Sequence, residues 1–421
     1  MRPSSNFSAI VVYSVISAAF IGPGTITTAV TAGSAYGLQL LWCVTLSTVG
    51  CLVLQEASAR VVIGSGLSLP QAIEKAFGRK GKPWLALTGF SVIAGCAAYE
   101  AGNILGAVSG LNILTGVDLP WLTAAVSVLA FILLYVNRRS VISGMMTVLV
   151  ALMGITFLTL AFRQPYTPAE VLQAATLPQF PQGSALLVLG LVGTTIVPYN
   201  IFLGSGISTG KTLAQMRLGL TVSVIAGGLI TAAIVVAGTS MQAFTSFPQL
   251  AHLLEQQAGP AGKLALGMGL FAAGFSSSVT APYAAAMVAH TVFGVHKTNK
   301  LRGVWGAVLG VGFFFGMSGI KPIPVILTVQ ALNGLILPLL AAWMVLLVNH
   351  GKIMPAIHQP GRFYNAVLLL VFASIMMVGL NQVEKALVSA GWLVAGSPAV
   401  LAAISLVAAG MLGFFIRRYS A

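Results

Sequence analysis

Gly22-Pro23-Gly24-Thr25 and Val197-Pro198-Tyr199-Asn200 each sit in the middle of an otherwise apolar stretch, residues 8–32 and 185–209. Proline removes a backbone donor and clashes with the preceding turn, and glycine relaxes the chain, so each motif predicts a broken helix. In hydrocarbon the freed N–H and C=O groups cannot stay unsatisfied, and an unwound segment must be buried in protein or line a polar cavity. Thr25, Thr27, Thr28 and Ser34 surround the first break, and Thr194, Thr195, Tyr199, Asn200 and Ser205 the second. A single membrane threonine commonly bonds back to its own helix, so the clusters carry the weight. They predict a substrate site built from Gly22, Pro23, Gly24, Thr25, Thr27, Thr28, Val197, Pro198, Tyr199 and Asn200.

The rest of the chain supplies the membrane. Of 421 residues, 57% are hydrophobic and 7% charged, and the mean hydropathy is +0.96. A water-soluble domain has no core large enough for so much apolar surface, so the bilayer is the solvent. Segments able to cross about 30 Å of hydrocarbon fall at 8–32, 38–63, 84–113, 120–136, 141–162, 185–209, 215–241, 263–293, 303–319, 323–349, 363–380 and 393–416. The two breaks open the first and the sixth of these twelve spans. That placement predicts one all-α transmembrane domain over 1–421, made of two inverted five-helix repeats, 1–162 and 185–349, and two additional spans within 363–416. The connections 64–83, 163–184 and 242–262 read as loops rich in Pro, Gly, Gln and Ser.

The net charge of +14 is an orientation signal. With the N-terminus inside, all but four of the 21 Lys and Arg fall on the inner side, the exceptions being Arg163, Lys263, Lys321 and Lys385. This positive-inside bias predicts cytoplasmic N- and C-termini in a membrane of the bacterial inner type. The basic residues stand singly or in pairs without interleaved aromatics, which excludes a nucleic-acid footprint. The partners expected are the lipid bilayer and a small inorganic ion, with one chain sufficient as a monomer. Cys43, Cys51 and Cys96 lie inside apolar runs without metal-ligand spacing, and the five histidines are scattered, so no metal cofactor or other prosthetic group is expected. No nucleophile–base pair and no paired intramembrane acids stand out, which argues against an enzyme. A channel would show a pore loop or a ring of charge, and neither is present.

At this point the residues resemble a known family, the natural-resistance-associated macrophage proteins (NRAMP), proton-coupled importers of manganese and iron with a LeuT-like fold. The likeness runs through spans 1 to 10. Gly22-Pro23-Gly24-Thr25, with Gly33, Tyr36-Gly37, Leu40-Leu41-Trp42 and Gln55, is similar to the family's first span and the start of its second, where the motif is Asp-Pro-Gly-Asn. Val197-Pro198-Tyr199-Asn200 sits where the family has Met-Pro-His-Asn; residues 274–280 with Tyr283-Ala284 resemble its eighth span, and Gln330 with Leu337-Pro338 its tenth. The departures fall on the ligands. The family's Asp is Gly22 here, its Asn is Thr25, its Met is Val197 and its His is Tyr199, and a second His further along span 6 aligns with Gly204. Asn200 survives. The resemblance also implies that Glu100 in span 3 takes the place of an acidic proton-pathway residue, with Asn103 at the next acidic position. Asn103, Ser276, Ser277, Thr280, Gln330 and Asn333 are expected along the pathway.

Transition metals need carboxylate, imidazole or thioether ligands, and Mg²⁺ or Ca²⁺ needs oxygen cages that normally include carboxylates. A carboxylate about 4 Å from a divalent ion is worth roughly 8 kcal/mol at an effective dielectric near 20. Neither break offers one. The half-helices after Gly24 and Asn200 start with unpaired N–H groups that favour anions, while the preceding halves end in carbonyls that suit cations. With the carboxylate gone, the leading expectation is secondary active uptake of a small anion such as bicarbonate, with Glu100 as the proton-coupling group. The alternative is a divalent cation, Mg²⁺ or Mn²⁺, held largely hydrated by carbonyls, Thr25 and Asn200. Glu56 and Glu384 lie near expected membrane faces and read as solvated.

Overall fold

The structure is a computed structural model that describes residues 13, 21–136, 140–208, 210–389 and 398–419. Among these residues every regular element is helical. In chain order they are α1 (Pro23–Tyr36), α2 (Leu41–Ser65), α3 (Leu69–Thr115), α4 (Leu119–Val136), α5 (Ser140–Ala161), α6 (Pro168–Thr176), α7 (Ala185–Thr195), α8 (Pro198–Ile207), α9 (Leu213–Gly238), α10 (Phe247–Ala258), α11 (Pro260–Phe293), α12 (Thr298–Met317), α13 (Pro322–Val348), α14 (Arg362–Ser389) and α15 (Pro398–Tyr419).

Nine helices among the described residues are long and apolar enough to cross a membrane, with α7 and α8 counting as one. The sequence predicts twelve, and the other three have particular reasons to fall short. The expected first span reaches into residues before Ile21 that lie outside the described set, apart from Tyr13. In the fifth, Val150–Ala161 is the described apolar helix. The ninth, α12, carries Lys300 and Arg302 in its opening turns, which lowers its apolar content.

Helix starts explain where the expected loops fold instead. The stretch 64–83 contains the beginning of α3, because Ser68 and Gln71 form a capping box followed by Pro70 in the first turn. Thr167 and Glu170 do the same for α6 inside 163–184, and the Ser246 hydroxyl caps α10 inside 242–262. Each device satisfies amides that the first helical turn leaves unpaired. Within α3 the chain turns sharply at Gly78, whose φ of 54° is a left-handed value that glycine adopts without strain.

Packing sorts the spans into two groups. α3, α4, α11 and α12 pack on one another, with α3 against α11 the most extensive pair, while α1, α2, α7–α8 and α9 pack together beside them. Spans 3, 4, 8 and 9 thus form one unit and spans 1, 2, 6 and 7 the other, so each span keeps company with the one five places along, the pattern that inverted repeats produce. α1 and α9 approach especially closely. A Cβ on Gly238 would lie 2.8 Å from the Val30 carbonyl oxygen, and one on Gly33 would collide with the Val235 carbonyl, so only glycine at both points lets the backbones touch.

Candidate functional site

A helix starts at the first motif and one is interrupted at the second. Gly22 is extended (φ −122°, ψ −174°) and α1 begins at Pro23 without a side-chain cap. α7 stops at Thr195, Ile196 and Val197 leave helical geometry, and α8 restarts at Pro198. The unwound backbone is buried in protein, as a lipid environment requires.

A cavity of ≈ 10 Å³ lies between the breaks, room for about one water. Gly22, Gly24 and Thr25 line it from the first break, Thr194, Val197 and Tyr199 from the second, Tyr99, Gly102 and Asn103 from α3, Ser277 from α11 and Gln330 from α13. The Thr25 and Thr194 hydroxyls are 2.8 Å apart and join the two sides. The Tyr99 hydroxyl donates to the Gly193 carbonyl at 2.7 Å, and its ring stands edge-on to Tyr199 with centroids 5.7 Å apart. Gln330 lies directly over Gly24, where a Cβ would overlap its side-chain amide. No charged side chain lines the cavity.

The remaining predicted residues sit around this chamber. Pro23 packs into the space left by Gly106 of α3. Thr27 and Thr28 are fully buried and their hydroxyls have no partner. Pro198 starts α8, and Asn200, 1% exposed, has neither its amide nitrogen nor its amide oxygen paired. Ser276 lies on α11 outside the lining and receives the Thr280 hydroxyl on its carbonyl at 2.9 Å, so Thr280 bonds back to its own helix. Asn333 donates to the Val329 carbonyl at 3.0 Å and lies against Gly95 rather than in the cavity. Glu100 is 0% exposed and packs against Gly312 of α12. Its Oε2 accepts from Asn103 Nδ2 at 3.3 Å and its Oε1 has no partner, so Asn103 stands between the cavity and the carboxyl.

Sequence reasoning passed over Tyr99 and Gly102. Both face the breaks only because α3 crosses them, and a lone Tyr in an apolar run carries no signal of that. Glu56 is also corrected. It is 6% exposed rather than solvated: Arg60 contacts its oxygens at 2.5 and 3.1 Å, Arg217 at 3.0 Å and the Tyr364 hydroxyl at 2.6 Å. Among the described residues no group of three or more His, Cys, Asp or Glu gathers to hold a metal ion.

Residues 14–385 match the family described as natural resistance-associated macrophage protein-like. The chain belongs to the Nramp family. Among its Nramp relatives is the divalent metal cation transporter MntH of Erwinia tasmaniensis, 28% identical over 334 residues that cover 74% of this chain and 79% of the relative. MntH of Granulibacter bethesdensis is 26% identical over 392 residues, 88% of this chain and 86% of that one. A mutant of the Eremococcus coleocola manganese transporter, solved by crystallography, superposes with a TM-score of 0.75 at 16% identity, covering 100% of this chain and 97% of the other. The LeuT-like fold with two inverted repeats is therefore the fold of this Nramp chain, which is an integral membrane transporter.

Proposed function

We propose that this Nramp chain is a secondary transporter of a divalent cation, which exchanges hydration waters for the neutral oxygens of the site as it passes. One observation carries the reading: the cavity between the breaks is lined by neutral oxygen and amide groups with no carboxylate, imidazole, thioether or cationic side chain. Soft ligands select manganese or iron; with Val197 and Tyr199 at the family's Met and His positions, the polar groups left at the site, Thr25, Thr194 and Asn103, favour a hard ion, with Mg²⁺ the natural case. The relatives that match along most of the chain are named for divalent metal cations.

The anion expectation finds little footing in the same geometry. Pro23 and Pro198 occupy the first turns of α1 and α8 and each deletes an amide, and the Asn200 N–H is taken by the Val197 carbonyl at 3.1 Å. An anion would meet hydroxyls and side-chain amides but few free backbone amides and no counter-charge. A cation meets the negative end of α7, where the helix stops at Thr195 and its last carbonyls lose their helical partners. The pathway continues in this reading through Asn103 to Glu100, the one carboxyl placed to take up a coupling proton. The functional halves are residues 1–162 and 185–349, with the last two spans at their side.

The test is transport into proteoliposomes loaded with an ion-sensitive dye, run with Mg²⁺, with Mn²⁺ and with labelled bicarbonate. Saturable Mg²⁺ uptake above that of empty vesicles is expected. Saturable bicarbonate uptake with no uptake of either metal overturns the proposal.

A further inference from the structure

We propose that the groove between α3, α13 and α15 is a binding site for one anionic phospholipid. The groove has a volume of ≈ 340 Å³ and its walls are apolar: Phe77 and Trp84 from α3, Leu339 and Leu346 from α13, and Leu412 and Phe415 from α15. Lys80 is the one charged residue that lines it. Its exposed side chain has no carboxylate in ion-pair reach among the described residues, whereas nearby Lys82 is paired with Glu74 at 3.2 Å.

Three features favour a lipid as occupant. The walls belong to membrane-spanning helices, so an acyl chain is the apolar molecule already at hand. Trp84 is 57% exposed at the rim beside Lys80, the position where an indole marks the boundary between hydrocarbon and headgroups. The chain next to the lining residues is complementary to a phosphate: Lys75, Arg79, Lys80 and Lys82 flank Phe77 and Trp84 in sequence and Arg417 follows Phe415 by two residues, with Glu74 the one acid in these stretches. Basic pockets between helices on the inner side of a membrane hold anionic headgroups by this means. The contrast is a larger groove of ≈ 590 Å³ between α2, α5, α6 and α9, which no charged side chain lines. That groove can take an acyl chain but has nothing with which to choose a headgroup.

The shape of α3 puts the lysine in place. The turn at Gly78 ends the short opening helix, and Lys80, Gly81 and Trp84 then lie at the start of the spanning part, facing α13. The Trp343 indole donates to the Thr88 hydroxyl at 2.9 Å and holds the groove's floor to α3.

Native mass spectrometry of the full-length protein in detergent tests this, with phosphatidylglycerol and phosphatidylcholine of matched chains as probes. Retention of phosphatidylglycerol over phosphatidylcholine is expected at about five-fold or more, one lysine's share of the attraction to an anionic headgroup. Lys80→Gln should bring the two lipids level, Lys80→Arg should keep the preference, and Trp84→Ala should weaken both lipids. Lys263→Gln, at the other face beside Glu255, should change nothing. Equal retention of both lipids, an unchanged preference in Lys80→Gln, displacement by inorganic phosphate alone, or a dimer that covers the groove would each overturn the proposal.

Discussion

The hydroxyls of Thr25 and Thr194 meet at 2.8 Å across the gap between the two broken helices. Both residues are buried, so valine at either position removes the hydrogen bond between them, at a cost of about 0.5–1.5 kcal/mol. Thr25→Val and Thr194→Val should each lower the unfolding midpoint in detergent. The double variant should cost less than the sum, with a coupling of about 1 kcal/mol in a double-mutant cycle. Additive losses would show that the contact is not formed.

Gly24 and Gln330 make a second pair. A methyl at position 24 has to push the Gln330 amide aside, and the space beside it is the ≈ 10 Å³ cavity. Gly24→Ala should therefore reduce substrate uptake by about ten-fold or more while the protein still folds, since the group displaced is the end of a flexible side chain. Adding Gln330→Ala should restore part of the uptake. A Gly24→Ala variant with ordinary uptake contradicts this placement of Gln330.

For Glu100 the expected result is loss of proton-driven uptake in Glu100→Gln, with ion binding to the protein retained. The amide preserves the contact with Asn103 and the packing against Gly312 but cannot release a proton. Undiminished uptake under an imposed pH gradient would remove Glu100 from the coupling path.

Glu56 and Arg60 are 6% and 5% exposed, and Arg60 also reaches the His358 carbonyl at 3.2 Å. Glu56→Gln leaves a buried guanidinium without its carboxylate, and about 3–5 kcal/mol of stability should be lost. Arg217 is half exposed, so Arg217→Gln should cost no more than about 1 kcal/mol. Thermal unfolding of both variants in the same detergent distinguishes the two.

His350 follows the end of α13, 4% exposed and edge-on to Phe77 with ring centroids 5.5 Å apart. Burial, and then the Lys352 charge, hold its imidazole below the usual histidine range. The folded chain therefore resists a proton that the unfolded chain accepts. Its contribution to stability is complete above the ordinary histidine value of 6.5 and is lost as the pH falls below it. His350→Gln should flatten that acid limb in unfolding midpoints taken from pH 8 to pH 5.

Much of the fold could be read from two short motifs because proline and glycine act locally. Pro23 and Pro198 each stand at the first position of a helix, where proline is best tolerated, and the Ser68, Thr167 and Ser246 starts were written in the sequence as capping signals although the connections read as loops. The site was less legible because it is made by crossing. Thr25, Tyr199 and Asn103 carried signals of their own, but Tyr99 enters only because α3 packs across the second break, where its hydroxyl finds the Gly193 carbonyl. Glu56 misled for a related reason. Nearness to a membrane face says nothing about a cover built from Arg60, Arg217 and Tyr364, which lie on the same helix, on α9 and on α14.

The contact of Gly33 with α9 and of Gly238 with α1 bears on how such a machine opens. Two helices whose main chains touch have no side-chain cushion to yield, so they cannot slide past each other and must pivot as one lever. If the first broken helix swings to admit or discharge its cargo, α9 has to travel with it against the stationary frame of α3, α4, α11 and α12. A side chain inserted at either glycine would uncouple the lever from its load while leaving the chamber itself untouched.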